Sequence, residues 1–217
     1  TNQRAEMGAL DAVKQSMQRG QSIVDVALAA GETITKALEE QKSLAVAIES
    51  SVAGSAAETA YLADFNALGN EITKALAGAT FDGVNLYSAA AADVQVKTGT
   101  GTTDVFTLKA TGAATAVATA GGAILRAGAT ATAVDTALKA FTAELGALGT
   151  KSKSLERSLT FTGKIQDSIE VGIGNLVDAD LAKESAKLTA LQTKQQLGVQ
   201  ALGIANQSSS VLLGLFR

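Results

Sequence analysis

The feature that most constrains this chain is a pair of long apolar stripes at alternating three- and four-residue spacing, uninterrupted by proline anywhere in 217 residues. The first runs through Leu10, Val13, Met17, Gly20, Val24, Ala27, Gly31, Ile34, Leu38, Gln41, Ala45 and Ile48. The second runs through Val134, Leu138, Phe141, Leu145, Leu148, Ser152, Leu155, Leu159 and Thr162. That spacing keeps one seam of a helix facing a partner helix, and it predicts helices from near residue 3 to about 50 and from about 132 onward. At ordinary usage of ~5% about eleven prolines would be expected, so their absence means nothing in the backbone forces these helices to kink. Gly20 and Gly31 each cost roughly 1 kcal/mol against Ala inside a helix, which points to close approach of a second helix at both places.

Between the stripes the pattern changes. Ser51-Val52-Ala53-Gly54 breaks the first helix, and Ser55 with Glu58 three residues later forms a capping box. Ala57, Tyr61, Phe65, Leu68, Ile72 and Leu76 then predict a helix over about 56–77, folded back on the first because the connection is short. Asp82-Gly83 is a tight-turn signal, Val84 to Tyr87 a short strand candidate, and 94–96 and 105–108 flank the Gly/Thr stretch 98–103 as a hairpin would. Beyond Lys109 the composition collapses into Ala, Thr and Gly. Gly172 and Gly174 suggest a helix boundary, after which Asn175 with Asp178 caps a last helix carrying Leu181, Leu188, Leu191 and Leu202 and ending in Val211-Leu212-Leu213-Gly214-Leu215-Phe216. The fold class expected is mainly α: long antiparallel coiled-coil helices forming a rod, with a small β-hairpin region inserted at mid-chain. The expected divisions are 1–77 (N-terminal rod helices), 78–128 (variable β-rich insertion), 129–173 (C-terminal rod helix) and 174–217 (a C-terminal helix of an inner core).

Composition excludes much chemistry. With neither His nor Cys there is no Ser-His-Asp triad, no thiol nucleophile, no zinc site of the usual ligands and no disulfide framework. No Gly-rich loop precedes a Lys-Ser/Thr pair, and no Ser precedes a Lys by three residues, so P-loop and Ser-Lys chemistry find no support. Net charge is −3 and the basic residues are scattered, which argues against a nucleic-acid groove. Neither long charge-free stretch, 110–125 or 195–216, reads as a membrane span. Asp178, Asp180 and Glu184 could suggest a hard-metal site, but carboxylates in a first helical turn are ordinarily caps answering the helix dipole. Asn206-Gln207-Ser208 matches a glycosylation acceptor by chance. No catalytic residue, metal site or cofactor is assigned. The chain carries no leader and no initiator Met, so Thr1 reads as an internal start.

Several runs resemble bacterial flagellin. From Asn175 these are Asn-Leu-Val-Asp-Ala-Asp, Gln195-Gln196-Leu197-Gly198, Gln200-Ala201-Leu202, Ile204-Ala205-Asn206-Gln207 and the closing Leu215-Phe216-Arg217. Leu38 to Val46 resembles a family helix of the N-terminal half, and Ala79 to Leu86 resembles the family's turn around Asn-Gly. The matches span roughly 1–88 and 130–217. The resemblance implies a self-assembling structural subunit of the flagellar filament, an extracellular protein of motility exported by the flagellar type III system, with an export chaperone and a filament cap as further partners. It also implies that the chain begins after the first inner-tube helix, leaving the 176–217 segment without its intramolecular mate. Leu138, Phe141, Leu145, Leu148, Leu155, Leu159, Leu188, Leu202, Leu212, Leu215 and Phe216 are the residues expected to carry packing and filament contacts. Glu40, Lys42 and Leu44 fall on the family's innate-immune receptor patch, where Glu40 and Gln41 replace Arg and Val; a close charge mismatch there costs several kcal/mol and implies weak receptor activation.

Two other classes share some of these features. A surface adhesin would use the mid-chain insertion to bind polysaccharide or host surface, with only Phe81, Tyr87 and Phe106 to stack on sugars. A translocator of a type III needle would need an apolar membrane hairpin, and none is present. The physical case for assembly is that the heptads, and the stripe 211–216 above all, exceed the partners one chain supplies.

Overall fold

The computed structural model describes residues 2–88, 93–109 and 124–215, with side chains as far as Ala205. Three helices and one hairpin follow in chain order: α1 (Asn2–Ser50), α2 (Ala56–Gly78), β1 (Val94–Lys97), β2 (Val105–Leu108) and α3 (Ala131–Leu215). The chain divides into two compact units, Thr1–Ile165 and Gln166–Arg217.

In the first unit every residue of the α1 stripe is buried, joined by Ile23 and Ala37. Gln41 is the polar member: its Nε2 donates to the Phe65 carbonyl of α2 at 2.9 Å while its Oε1 has no partner, so one side chain pins the register of α1 against α2. The capping box forms at the start of α2. Ser55 is extended (φ −72°, ψ 156°) and its Oγ accepts from Glu58 N at 3.1 Å, whereas Glu58 reaches one residue further back than the motif predicts, to Gly54 N. Along α2 the inward face is Phe65, Gly69, Ile72 and Leu76; Ala57 and Tyr61 of the expected stripe are exposed.

Helix α1 pairs antiparallel with the first half of α3. Glu49 Oε1 accepts from Ala131 N at 3.1 Å, Lys42 pairs with Asp135, and Gly31 meets Leu145, so contacts climb one helix as they descend the other. Phe141, Leu148 and Leu155 are fully buried in that seam, with Leu138, Leu145 and Leu159 half-buried beside them. The first turn of α3 is capped two residues earlier than its sequence suggests, by Thr130, whose Oγ1 accepts from Ala133 N at 3.2 Å.

The hairpin pairs antiparallel with Val94 opposite Leu108 and Val96 opposite Phe106, which puts those four apolar residues on one face. That face docks on α1. A Cβ at Gly20 would lie 2.6 Å from Val96 Cγ2, and Lys97 N donates to Ser16 Oγ at 3.0 Å. The close approach at Gly20 is therefore a strand side chain and not the second helix its sequence suggested. At Gly31 the expectation of a helix holds through Leu145, with Tyr87 Oη sharing the space.

Val84–Tyr87 is not a strand. Phe81 and Val84 exchange two backbone hydrogen bonds of 2.9 Å across Asp82-Gly83, whose φ values of 50° and 75° make the tight turn. The next residues are committed to the end of α2: Asn85 Nδ2 donates to the Leu76 and Ala77 carbonyls at 2.7 and 3.3 Å, and Asn85 Oδ1 accepts from Tyr87 N. Tyr87 then turns inward, donates to the Ala27 carbonyl and packs on Phe141 with ring centroids 5.5 Å apart.

The expected break at Gly172–Gly174 does not occur, and α3 runs on to Leu215. A glycine ends a helix by taking a left-handed conformation, and among the described residues only Gly54 and Gly83 do so among the glycines. Without a proline or a positive φ, Gly172 and Gly174 merely weaken the helix.

Candidate assembly surface

Two helix ends meet at one arginine. Arg126 Nη1 donates to Glu58 Oε1 at 2.8 Å and to Ser51 Oγ at 3.4 Å, while Nη2 donates to the carbonyls of Glu49 and Ser51 at 3.2 and 3.1 Å. One planar cation thus satisfies carbonyls at the C-terminal end of α1 and the acidic first turn of α2. The guanidinium bond, followed by that from Gly54 N, holds the Glu58 carboxyl below the usual range. Nothing in the sequence marked Arg126, because its partners lie 68 to 77 residues away.

At the start of α3, Asp135 accepts from Lys42 Nζ at 2.5 Å and from Lys139 Nζ at 2.7 Å. The hydrogen bond from Lys139, then that from Lys42, lowers its pKa from 3.8 to about 2. A depressed carboxylate stabilises the fold above its unfolded pKa and loses that contribution as pH falls through the folded one. The melting temperature of Asp135→Asn is accordingly expected below that of the unsubstituted chain at neutral pH, with the gap closing as pH drops from about 3.8 toward 2. Circular dichroism melts across that range measure it; a gap independent of pH would disprove it.

Of the receptor-patch positions, Glu40 is exposed, Leu44 is half-buried and Lys42 is engaged with Asp135. Gln41 is fully buried, so the exposed change in that patch is Glu40 alone.

The second unit is different in kind. From Val177 to Ala205 every side chain is exposed, including Leu181, Leu188, Leu191, Leu197 and Leu202. Leu188 is 59% and Leu202 72% exposed. No charged residue lies between Lys194 and Arg217, and over 197–205 only Gln200 is polar. Gln192, Gln196 and Gln200 share one face, and the exposed leucines lie off it; an apolar helix face belongs against a partner. Among the described residues no helix is long and apolar enough to cross a membrane. Asp178, Asp180 and Glu184 lie mid-helix, which overturns their reading as caps; Glu184 pairs with Lys187 at 2.7 Å. Among the described residues no group of acidic side chains could hold a metal ion. The side chains of Leu212 and Leu215, Phe216 itself and the side chains of Asn206-Gln207-Ser208 lie outside the described residues.

A helical core closed on itself, continued by a helix whose apolar residues face solvent, defines a protein built for packing with other chains. The comparisons name the class. Residues 131–216 match the family model of the bacterial flagellin C-terminal helical region. Flagellin FljM of Caulobacter vibrioides is 48% identical, the alignment covering all of this chain and 81% of that protein, and a flagellin of Brucella melitensis is 33% identical with 100% and 82% covered. The crystal structure of Bacillus cereus flagellin shares the fold, with a TM-score of 0.59, 19% identity, and 68% of this chain and 88% of that chain covered. The chain belongs to the flagellin family.

Proposed function

We propose that the chain is a structural subunit of the bacterial flagellar filament and not an enzyme, joined to identical copies by contacts along its helices. The reading rests on one observation above others: a helix whose leucines are exposed from 181 to 202 in a chain of this family. Burial at ~25 cal/mol per Å² gives each such leucine about 1.5–3 kcal/mol when a neighbouring subunit covers it. The family places the protein outside the cell in the flagellum; export through the flagellar type III channel, with a chaperone before it and a filament cap after it, is the route proposed for it.

The adhesin reading gains nothing. Tyr87 is committed to the core, Phe106 is half-buried on the docked face of the hairpin, and only Phe81, 37% exposed, is left to offer a sugar. Electron microscopy of the complete natural polypeptide is the test. Long filaments of uniform width are expected; a protein that stays monomeric at high concentration while binding glycans would overturn the proposal.

A further inference from the structure

Two surface features of the first unit complement each other and satisfy nothing within it. The groove between α1 and α2 is lined by Glu40, Asp64 and Glu71 around the half-buried Leu44 and Leu68. On the outer face of α3, Lys153, Arg157 and Lys164 surround Phe161, which is 65% exposed, and outnumber the one carboxylate of that surface, Glu156. Among the described residues none of the three carboxylates and none of the three cations has an ion-pair partner. Like charges gathered on one surface repel one another, and a large aromatic among them stays wet, unless a partner of the opposite kind covers both.

We propose that the α3 ridge of one copy docks into the α1–α2 groove of the next. Phe161 seats against Leu44 and Leu68, while Arg157 and its flanking lysines face Glu40, Asp64 and Glu71. Positions 153, 157, 161 and 164 follow helical spacing and lie away from the buried Leu148, Leu155 and Thr162, so the ridge is free to project. Because ridge and groove are different patches of the same molecule, the contact is heterologous and each docked copy offers the next one a vacant groove. This deepens the subunit reading: it names the surfaces outside the C-terminal unit through which copies would join.

The experiment is a charge swap in the complete natural polypeptide, read as the critical concentration for filament formation by sedimentation at low salt. Arg157→Glu and Glu71→Arg are each expected to raise it about tenfold or more, and the two together to return it to within about threefold of the unsubstituted protein. Added salt shrinks all three differences. The exposed positions leave the melting temperature unchanged; if a reversal unfolds the chain, Arg157→Gln and Glu71→Gln report the same pattern at smaller size. Filaments indifferent to both single reversals, or a double variant worse than either, overturn this contact and leave the subunit reading standing. No filaments from the unsubstituted protein overturn both.

Discussion

Gly31→Leu is expected to destabilise the chain by about 3–5 kcal/mol and to lower its melting temperature by roughly 10 °C or more. A Cβ at this position already meets Leu145 of α3 and lies 2.9 Å from Tyr87 Oη, and a leucine adds three further carbons to the same space. Leu145 can turn its side chain aside, but Tyr87 cannot without losing its bond to the Ala27 carbonyl and its packing on Phe141. The Tyr87 hydroxyl is buried enough that desolvation, ahead of the nearby Glu144 charge, pushes its pKa above the usual tyrosine range, so freeing it leaves a polar group without water. An unpaired buried group costs about 1–3 kcal/mol, and overpacking of a dense seam a similar amount. Against a total stability of about 5–15 kcal/mol the sum is large. Gly146→Ala is the control, since nothing lies within 4 Å of its added Cβ; the helix-propensity gain should raise stability by about 0.5–1 kcal/mol. Circular dichroism melts of both variants decide the matter, and a Gly31→Leu chain as stable as its parent would mean that α1 and α3 are not held at this distance.

That contrast also marks how far the sequence alone can be read. The α1 stripe was legible in full because a helix without proline has one free variable, the face it buries, and the period fixes it: Leu10 through Ile48 all face inward. Ser55 and Glu58 announced the start of α2 because a cap acts over three residues. What stayed hidden depends on partners distant in the chain. Gly20 looked like a helix crossing until Val96, 76 residues on by the numbering, filled the space. Val84 to Tyr87 had the composition of a strand, yet Asn85 is occupied by the last carbonyls of α2, and Tyr87 by a carbonyl 60 residues earlier. Arg126 sits in an unpatterned loop and draws its role from Glu49, Ser51 and Glu58. The assembly residues divide the same way. Phe141, Leu148 and Leu155, read from the heptad, turn out to pack within the unit, whereas Leu188 and Leu202 carry the same signal and remain uncovered.

Leu188→Asp with Leu202→Asp is expected to abolish filament formation while leaving the melting of the first unit unchanged. Both leucines are exposed in the single chain, so replacing them there removes no intramolecular packing and adds well-hydrated charge. In a filament the account reverses. Each covered leucine contributes about 1.5–3 kcal/mol, and its aspartate would lose that and would also carry an unpaired charge into an apolar seam. A loss of about 4 kcal/mol per subunit raises the critical concentration roughly a thousandfold. The two sites are informative together because their surroundings differ. Leu188 follows Asp178, Asp180, Lys183, Glu184 and Lys187, with Glu184 one turn before it on its own face, while Leu202 lies in the charge-free stretch, where the polar face is made of Gln196 and Gln200. A substitution at 188 alone should therefore weaken assembly less than one at 202, because water and the neighbouring lysines can still reach the new carboxylate. Lys194→Gln, which changes charge without touching either stripe, should assemble normally. Sedimentation and electron microscopy of the complete polypeptide measure all of these. Filaments of normal abundance from the double aspartate variant would locate the binding energy in the first unit instead, and equal effects at 188 and 202 would mean that the C-terminal helix is covered on one face only.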